Sequence, residues 1–82
     1  MRLDKYLKVS RIIKRRTVAN DACSAGKVEV NGKPVKPSYD VKVGDVLELH
    51  FGARMIRAEV TAISEYAKKE DAATMYRILS ET

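Results

Sequence analysis

Apolar residues at Leu3, Tyr6, Leu7 and Ile13 follow an approximately helical spacing, and Val18, Ala19, Ala22 and Cys23 repeat it one segment later. The first set predicts a short helix over residues 3–9, with Asp4 placed as an early cap and Ser10-Arg11 as a break. The second predicts a helix from Arg15 or Arg16 to Ala25, buried on Val18, Ala19, Ala22 and Cys23 and ended by Gly26 at the position that favours a left-handed backbone. The small residues on that face let the helix sit close to its neighbour.

After Gly26 the period changes to two. Val28-Glu29-Val30, Asn31-Gly32 and Pro34-Val35-Lys36 read as a hairpin, because Asn-Gly between extended runs suits a tight turn with two positive φ angles. Pro37-Ser38 interrupts the return strand. Gly44-Asp45 is a turn, Val46–Phe51 a strand, Gly52 a turn, and residues 54–63 alternate with Ile56, Ala58, Val60 and Ala62 on one side. Near Lys68 the period lengthens again. Ala72, Met75, Tyr76 and Leu79 match an amphipathic helix, with Glu70 and Asp71 at its positive end. The predicted fold is α+β: two N-terminal helices on a small, mostly antiparallel sheet of four to five strands, plus a C-terminal helix.

Composition narrows this. The chain's 82 residues suit one small domain, 1–82, with an aliphatic core because there is no Trp and one Phe. No apolar run is long enough to span a membrane. The opening MRLDKYLKVS lacks a signal-peptide core, and a single cysteine fits a reducing compartment, so the expected location is cytoplasmic.

The net charge of +5 is unevenly spread. Residues 1–36 hold ten Lys or Arg against three acids, a net of +7, while residues 37–82 hold six against eight, a net of −2. A polyanion is the natural partner of such a first half, against the plainer reading of a solvated basic face. Catalytic chemistry is absent from the pattern. His50, the lone histidine, sits inside a strand, Cys23 lies on a buried helix face, and the four glycines are scattered turn markers and not a phosphate loop. Metal ligands are not clustered along the chain, so neither a metal nor another cofactor is expected.

The basic residues form one set. Lys14, Arg15 and Arg16 fan around a helix start that also offers free N–H groups to a phosphate, and Lys8, Arg11 and Arg15 are about a turn apart. Lys27, Lys33 and Lys36 follow from the loop and hairpin.

The order of the pieces is that of a known family. RLDKYL, then SR, then the basic run before TVANDACSAGKVEVNGKPVK, then VKVGDVLEL, resembles the RNA-binding domain (the alpha-L motif) first defined in small-subunit ribosomal protein S-four. The match covers residues 2–49, with a C-terminal strand and helix over 54–80 added. Arg2-Leu3-Asp4, Gly26-Lys27-Val28, Val30-Asn31-Gly32 and Gly44-Asp45 carry it, each weak alone and strong in this order.

LKVSRIIKRRTVA, Phe51-Gly52 and KKEDAATMYRIL make the chain similar to the small free-standing members that serve bacterial ribosome-associated quality control. That resemblance implies a non-enzymatic factor on the stalled large ribosomal subunit, and a chain of this size is expected to act as a monomer. It would touch large-subunit rRNA and stabilise P-site peptidyl-tRNA while RqcH on the same subunit adds an alanine tail. The fifteen-kilodalton heat-shock proteins are a second similar group, which recognise free large subunits carrying peptidyl-tRNA and have a longer basic C-terminal extension. A protein-interaction module using the C-terminal helix is the reading from another class.

Arg2 and Arg16 match family arginines and are the first candidates for RNA contact, with a free terminus and a solvated helix end as the plain alternatives. Arg11, Lys14 and Arg15 are phosphate candidates, joined by Lys8, Lys27, Asn31, Lys33 and Lys36. Asn31 is equally a hairpin residue. Asp4 repels phosphate and reads as a cap or as a partner that aims Arg2. Tyr6 suits either the core or a stacked base.

Overall fold

The computed structural model describes residues 1–82. Helix α1 (Leu3–Val9) forms because Leu3, Tyr6 and Leu7 leave water together, while Asp4 in the first turn and Lys8 in the last complement the helix dipole. Its leading N–H groups are closed by a distant loop: Leu3 donates to the Tyr39 carbonyl at 2.8 Å and Asp4 to that of Pro37 at 3.1 Å. A bridge between Arg2 and Asp40, and a 2.7 Å ion pair from the N-terminal ammonium to Asp40, complete the anchor. Arg2 therefore does not sit on a free terminus.

Helix α1 stops at Ser10, and Arg11 turns to φ 64°, a left-handed conformation that glycine or asparagine normally takes. The Arg11 N–H reaches the Lys8 carbonyl and the Ile13 N–H that of Leu7, which satisfies the helix end. Helix α2 (Arg16–Ser24) then packs Ala19, Ala22 and Cys23 against α1. Val18 was expected on this face but is 46% exposed. It lies about 100° round the helix from Ala19, at the margin of the stripe. Gly26, at φ 75°, ends α2 as expected: its N–H bonds the Cys23 carbonyl and that of Lys27 the Ala22 carbonyl.

Five strands follow: β1 (Val28–Val30), β2 (Lys33–Pro34), β3 (Val46–Phe51), β4 (Arg54–Val60) and β5 (Tyr76–Glu81), in the order β2-β1-β3-β4-β5 with every pairing antiparallel. Asn31 at φ 52° and Gly32 at φ 85° make the β1–β2 turn. Val28, Val30, Leu47, Leu49 and Val60 join Leu3, Tyr6, Leu7, Ile13 and the small face of α2 in one core.

The C-terminal segment departs from expectation. Helix α3 (Lys69–Ala72) starts where predicted but makes a single turn, and residues 76–81 form edge strand β5. Ala72 and Met75 are buried as the stripe implied, whereas Leu79 is 44% exposed. One turn of helix has little cooperative support. Tyr76-Arg77-Ile78-Leu79 instead favours a strand, and the open edge of β4 supplies a ladder for it, irregular near Arg57/Ala58. Thr74 marks the change: its hydroxyl donates to the Asp71 carbonyl, and its own carbonyl accepts from the Thr61 hydroxyl.

Candidate nucleic-acid interface

The centre of the basic face is one buried acid. The Asp4 side chain is 3% exposed. It receives two 3.1 Å hydrogen bonds from the Arg2 guanidinium, one at 3.3 Å from the Asn20 amide and one at 2.8 Å from the Lys5 N–H, and Arg16 stands 3.6 Å away. Burial would raise its pKa, but the hydrogen bonds from Arg2, Asn20 and Lys5 and the charge of Arg16 together hold it below the ordinary carboxylate value. Asp4 is thus the partner that aims Arg2, and it aims Arg16 as well. Two guanidiniums share one carboxylate, so the cluster keeps a net positive charge. The Arg2 and Arg16 side chains remain 51% and 49% exposed, and donors not used on Asp4 are free for a phosphate.

The start of α2 adds to this. Arg15 occupies the N-cap in an extended conformation and provides no capping bond. The N–H groups of Arg16, Thr17 and Val18 have no acceptor within the protein, in contrast to the closed start of α1. No acid lies in the first turn. Two arginines at the positive end of a helix oppose its dipole at about 0.3–1 kcal/mol each. An anion placed there would remove that cost and occupy the open N–H groups.

All ten sequence candidates are exposed. Seven of them, Lys8, Arg11, Lys14, Arg15, Lys27, Lys33 and Lys36, make no ion pair within the chain. Lys36 joins the Asp4 cluster: with Arg2, Asn20 and Ser24 it lines an open groove of about 420 Å³ between α2 and the loop after β2. Lys14 and Arg15 stand in the turn before α2 and do not fan round a helix, and the left-handed Arg11 breaks the helical spacing from Lys8 to Arg15. Lys27 precedes β1 while Lys33 pairs with its last residue, so these two flank opposite ends of that strand. Asn31 has the hairpin role allowed for it: its amide N–H donates to Asp45 and its amide oxygen accepts from the Val46 N–H, while the residue stays exposed.

Lys5 and Asn20 also belong to this corner, Lys5 beside Glu65 and Tyr66 and Asn20 on Asp4. Lys5 follows Arg2 by three residues and precedes Lys8 by three, which was visible in the numbering. Asn20 is apparent only once α1 and α2 are packed.

The outer sheet face is charged differently. Glu29 stands opposite Glu48, Arg57 pairs with Glu48 and Arg77 with Glu59. This face corrects the expectation that metal-ligating residues are unclustered, since strand pairing brings Glu29, Glu48 and His50 within 4.8 Å of one another. Arg57 already holds one Glu48 oxygen, and His50 Nε2 is 3.4 Å from Glu29, so the group fits an ion-paired surface. Cys23 is buried and its thiol is pushed up to about 11, chiefly by burial, which leaves it unreactive. Tyr6 is core: fully buried, its hydroxyl donates to the Met75 carbonyl at 2.6 Å, and burial raises its pKa. No helix is long and apolar enough to cross a membrane.

The S4 domain family model matches residues 1–47, which hold both helices, the hairpin and the Asp4 cluster. The RQC P-site tRNA stabilizing factor of Streptococcus pneumoniae is 55% identical over 82 residues, spanning 100% of this chain and 93% of that protein. Its namesake from Listeria innocua is 53% identical over 99% of this chain and 88% of its own length. Among solved structures, trimeric heat shock protein 15 of Vibrio cholerae superposes with a TM-score of 0.89 at 32% identity, covering 98% of this chain and 82% of that one. With the S4 model over its first half and such identity along its whole length, the chain belongs to the S4-domain family, in the group of the RQC P-site tRNA stabilizing factors.

Proposed function

We propose that the chain is a non-enzymatic RNA-binding factor that grips a stalled large ribosomal subunit and stabilises its P-site peptidyl-tRNA. In this reading it is cytoplasmic and acts as a monomer beside RqcH while the nascent chain receives its alanine tail. The observation that carries the reading is the Asp4 cluster: Arg2 and Arg16 are held half-exposed on one buried carboxylate, beside an uncapped helix start. Arg2 and Arg16 supply fork-shaped contacts to phosphate oxygens, and Lys8, Arg11, Lys14, Arg15 and Lys36 widen the footprint over the α1–α2 corner. Lys27 and Lys33 reach RNA only at its margin. The names of the full-length relatives support the choice of a tRNA on the ribosome over other polyanions.

Co-sedimentation tests this. The chain should pellet with large subunits carrying peptidyl-tRNA and not with small subunits, and Arg16→Ala should weaken pelleting at least tenfold while shifting the melting temperature by no more than a few degrees. A folded Arg16→Ala variant that pellets like wild type overturns the site. The likeness to heat shock protein 15 favours a second reading, recycling of free large subunits, and equal binding with and without RqcH activity would support it. For the interaction-module reading the C-terminal surface is edge strand β5, with Ile78 and Leu79 exposed, and not a helix.

A further inference from the structure

Tyr66 is 87% exposed, more than any other large apolar or aromatic side chain of the molecule. It lies in the loop between β4 and α3 and has no structural work in the core. One feature fixes its position: the Lys5 ammonium stands 5.8 Å from the ring centroid, a cation–π contact. The neighbouring Glu65 pairs loosely with the same ammonium at 3.8 Å. Lys5 is one turn from Arg2 and one turn from Lys8, so it lies on the solvent side of α1, between two residues of the basic face. The loop after β4 is therefore docked, through Lys5, against the flank of α1.

A ring in this place has one side turned to a cation and the rest open to solvent. Such an arrangement suits a nucleobase, whose flat face stacks on an aromatic ring whatever its sequence, while its phosphates meet neighbouring cations. A protein partner fits less well, because the side chains shown beside the ring are charged: Lys5 at its face, and Glu65, its chain neighbour, paired with Lys5.

We propose that Tyr66 is a stacking platform for an unpaired nucleobase, extending the RNA footprint across α1 from the Asp4 cluster to the loop after β4. This rests on the RNA-binding reading given above. It assigns the aromatic role to Tyr66 and leaves Tyr6 in the core. Lys5 serves as its positioning residue, presenting the ring and neutralising the adjoining phosphate.

The test uses two fluorescein-labelled RNAs, a hairpin with a seven-nucleotide loop and the same stem closed as a plain duplex, with binding read by anisotropy. Tyr66→Ala should weaken binding to the hairpin about five- to tenfold and to the duplex less than twofold, while Tyr66→Phe keeps wild-type affinity. Replacing the loop bases by abasic sites should weaken wild type equally and leave Tyr66→Ala unaffected. If Tyr66→Ala binds the hairpin like wild type while Arg16→Ala loses it, the stacking site is wrong and the basic face stands. If wild type binds neither RNA, both proposals fall.

Discussion

The two faces of this small molecule carry similar side chains and use them in opposite ways. On the outer sheet, Arg57 and Arg77 each lie against a glutamate of an adjacent strand, so charge is spent within the molecule. On the helical face Lys8, Arg11, Lys14 and Arg15 have no acid, and Arg2 and Arg16 divide one between them. Exposed pairs such as those of the sheet contribute little stability, about 0–1 kcal/mol each. What they do is remove net charge from one side. The remaining field belongs to the helices, where the backbone is also left open at the start of α2.

The largest way to break this contrast is Asp4→Asn. It adds a positive charge, so an account based on net charge alone expects tighter RNA binding. The geometry gives the reverse: with the carboxylate gone, Arg2 and Arg16 lose their common anchor. Affinity for large subunits should fall about tenfold and stability by about 2 kcal/mol, the scale of a lost charge-assisted hydrogen-bond set discounted for two half-exposed partners. Isothermal binding and denaturant melts measure the two separately.

Next comes the matched pair Arg16→Ala and Arg57→Ala. The first should cost at least tenfold in binding, the second less than twofold, and neither should shift the melting temperature by more than a few degrees. Equal losses would mean that only net charge matters. Smaller still is Arg15→Ser. A serine at the N-cap accepts one of the open N–H groups and should add about 1 kcal/mol, or roughly 4–8 °C in melting temperature. The same change should weaken RNA binding about threefold, since it removes a cation and closes the helix start. A stabilised variant with unimpaired binding would show that the open start has no role.

Acid gives the mildest probe. The Asp4 carboxyl is depressed below its ordinary 3.8, so folding favours its ionised form. That stabilisation is whole above about pH 4 and is lost as pH falls through the lower folded value. Melting curves of wild type and Asp4→Asn should therefore converge below pH 4.

Much of this was legible in the chain. Gly26 and Asn31-Gly32 marked their turns because each needs a positive φ, and the small residues of α2 marked a close helix pair. The basic face was legible as charge, and Asp4 as an aiming residue. What was hidden depended on distant partners. The β5 strand required the edge of β4 to outcompete a helical stripe, and Val18 fell just past the margin of a stripe. Glu29, Glu48 and His50 meet only through strand register.

The most direct measurement is the salt dependence of binding to large subunits carrying peptidyl-tRNA, for wild type, Arg16→Ala and Arg57→Ala. Each phosphate contact contributes about 0.7–0.9 to the slope of log affinity against log salt. The slope should drop by about one contact in Arg16→Ala and stay unchanged in Arg57→Ala. Identical slopes for all three would show that the helical cations do not meet the sugar-phosphate chain.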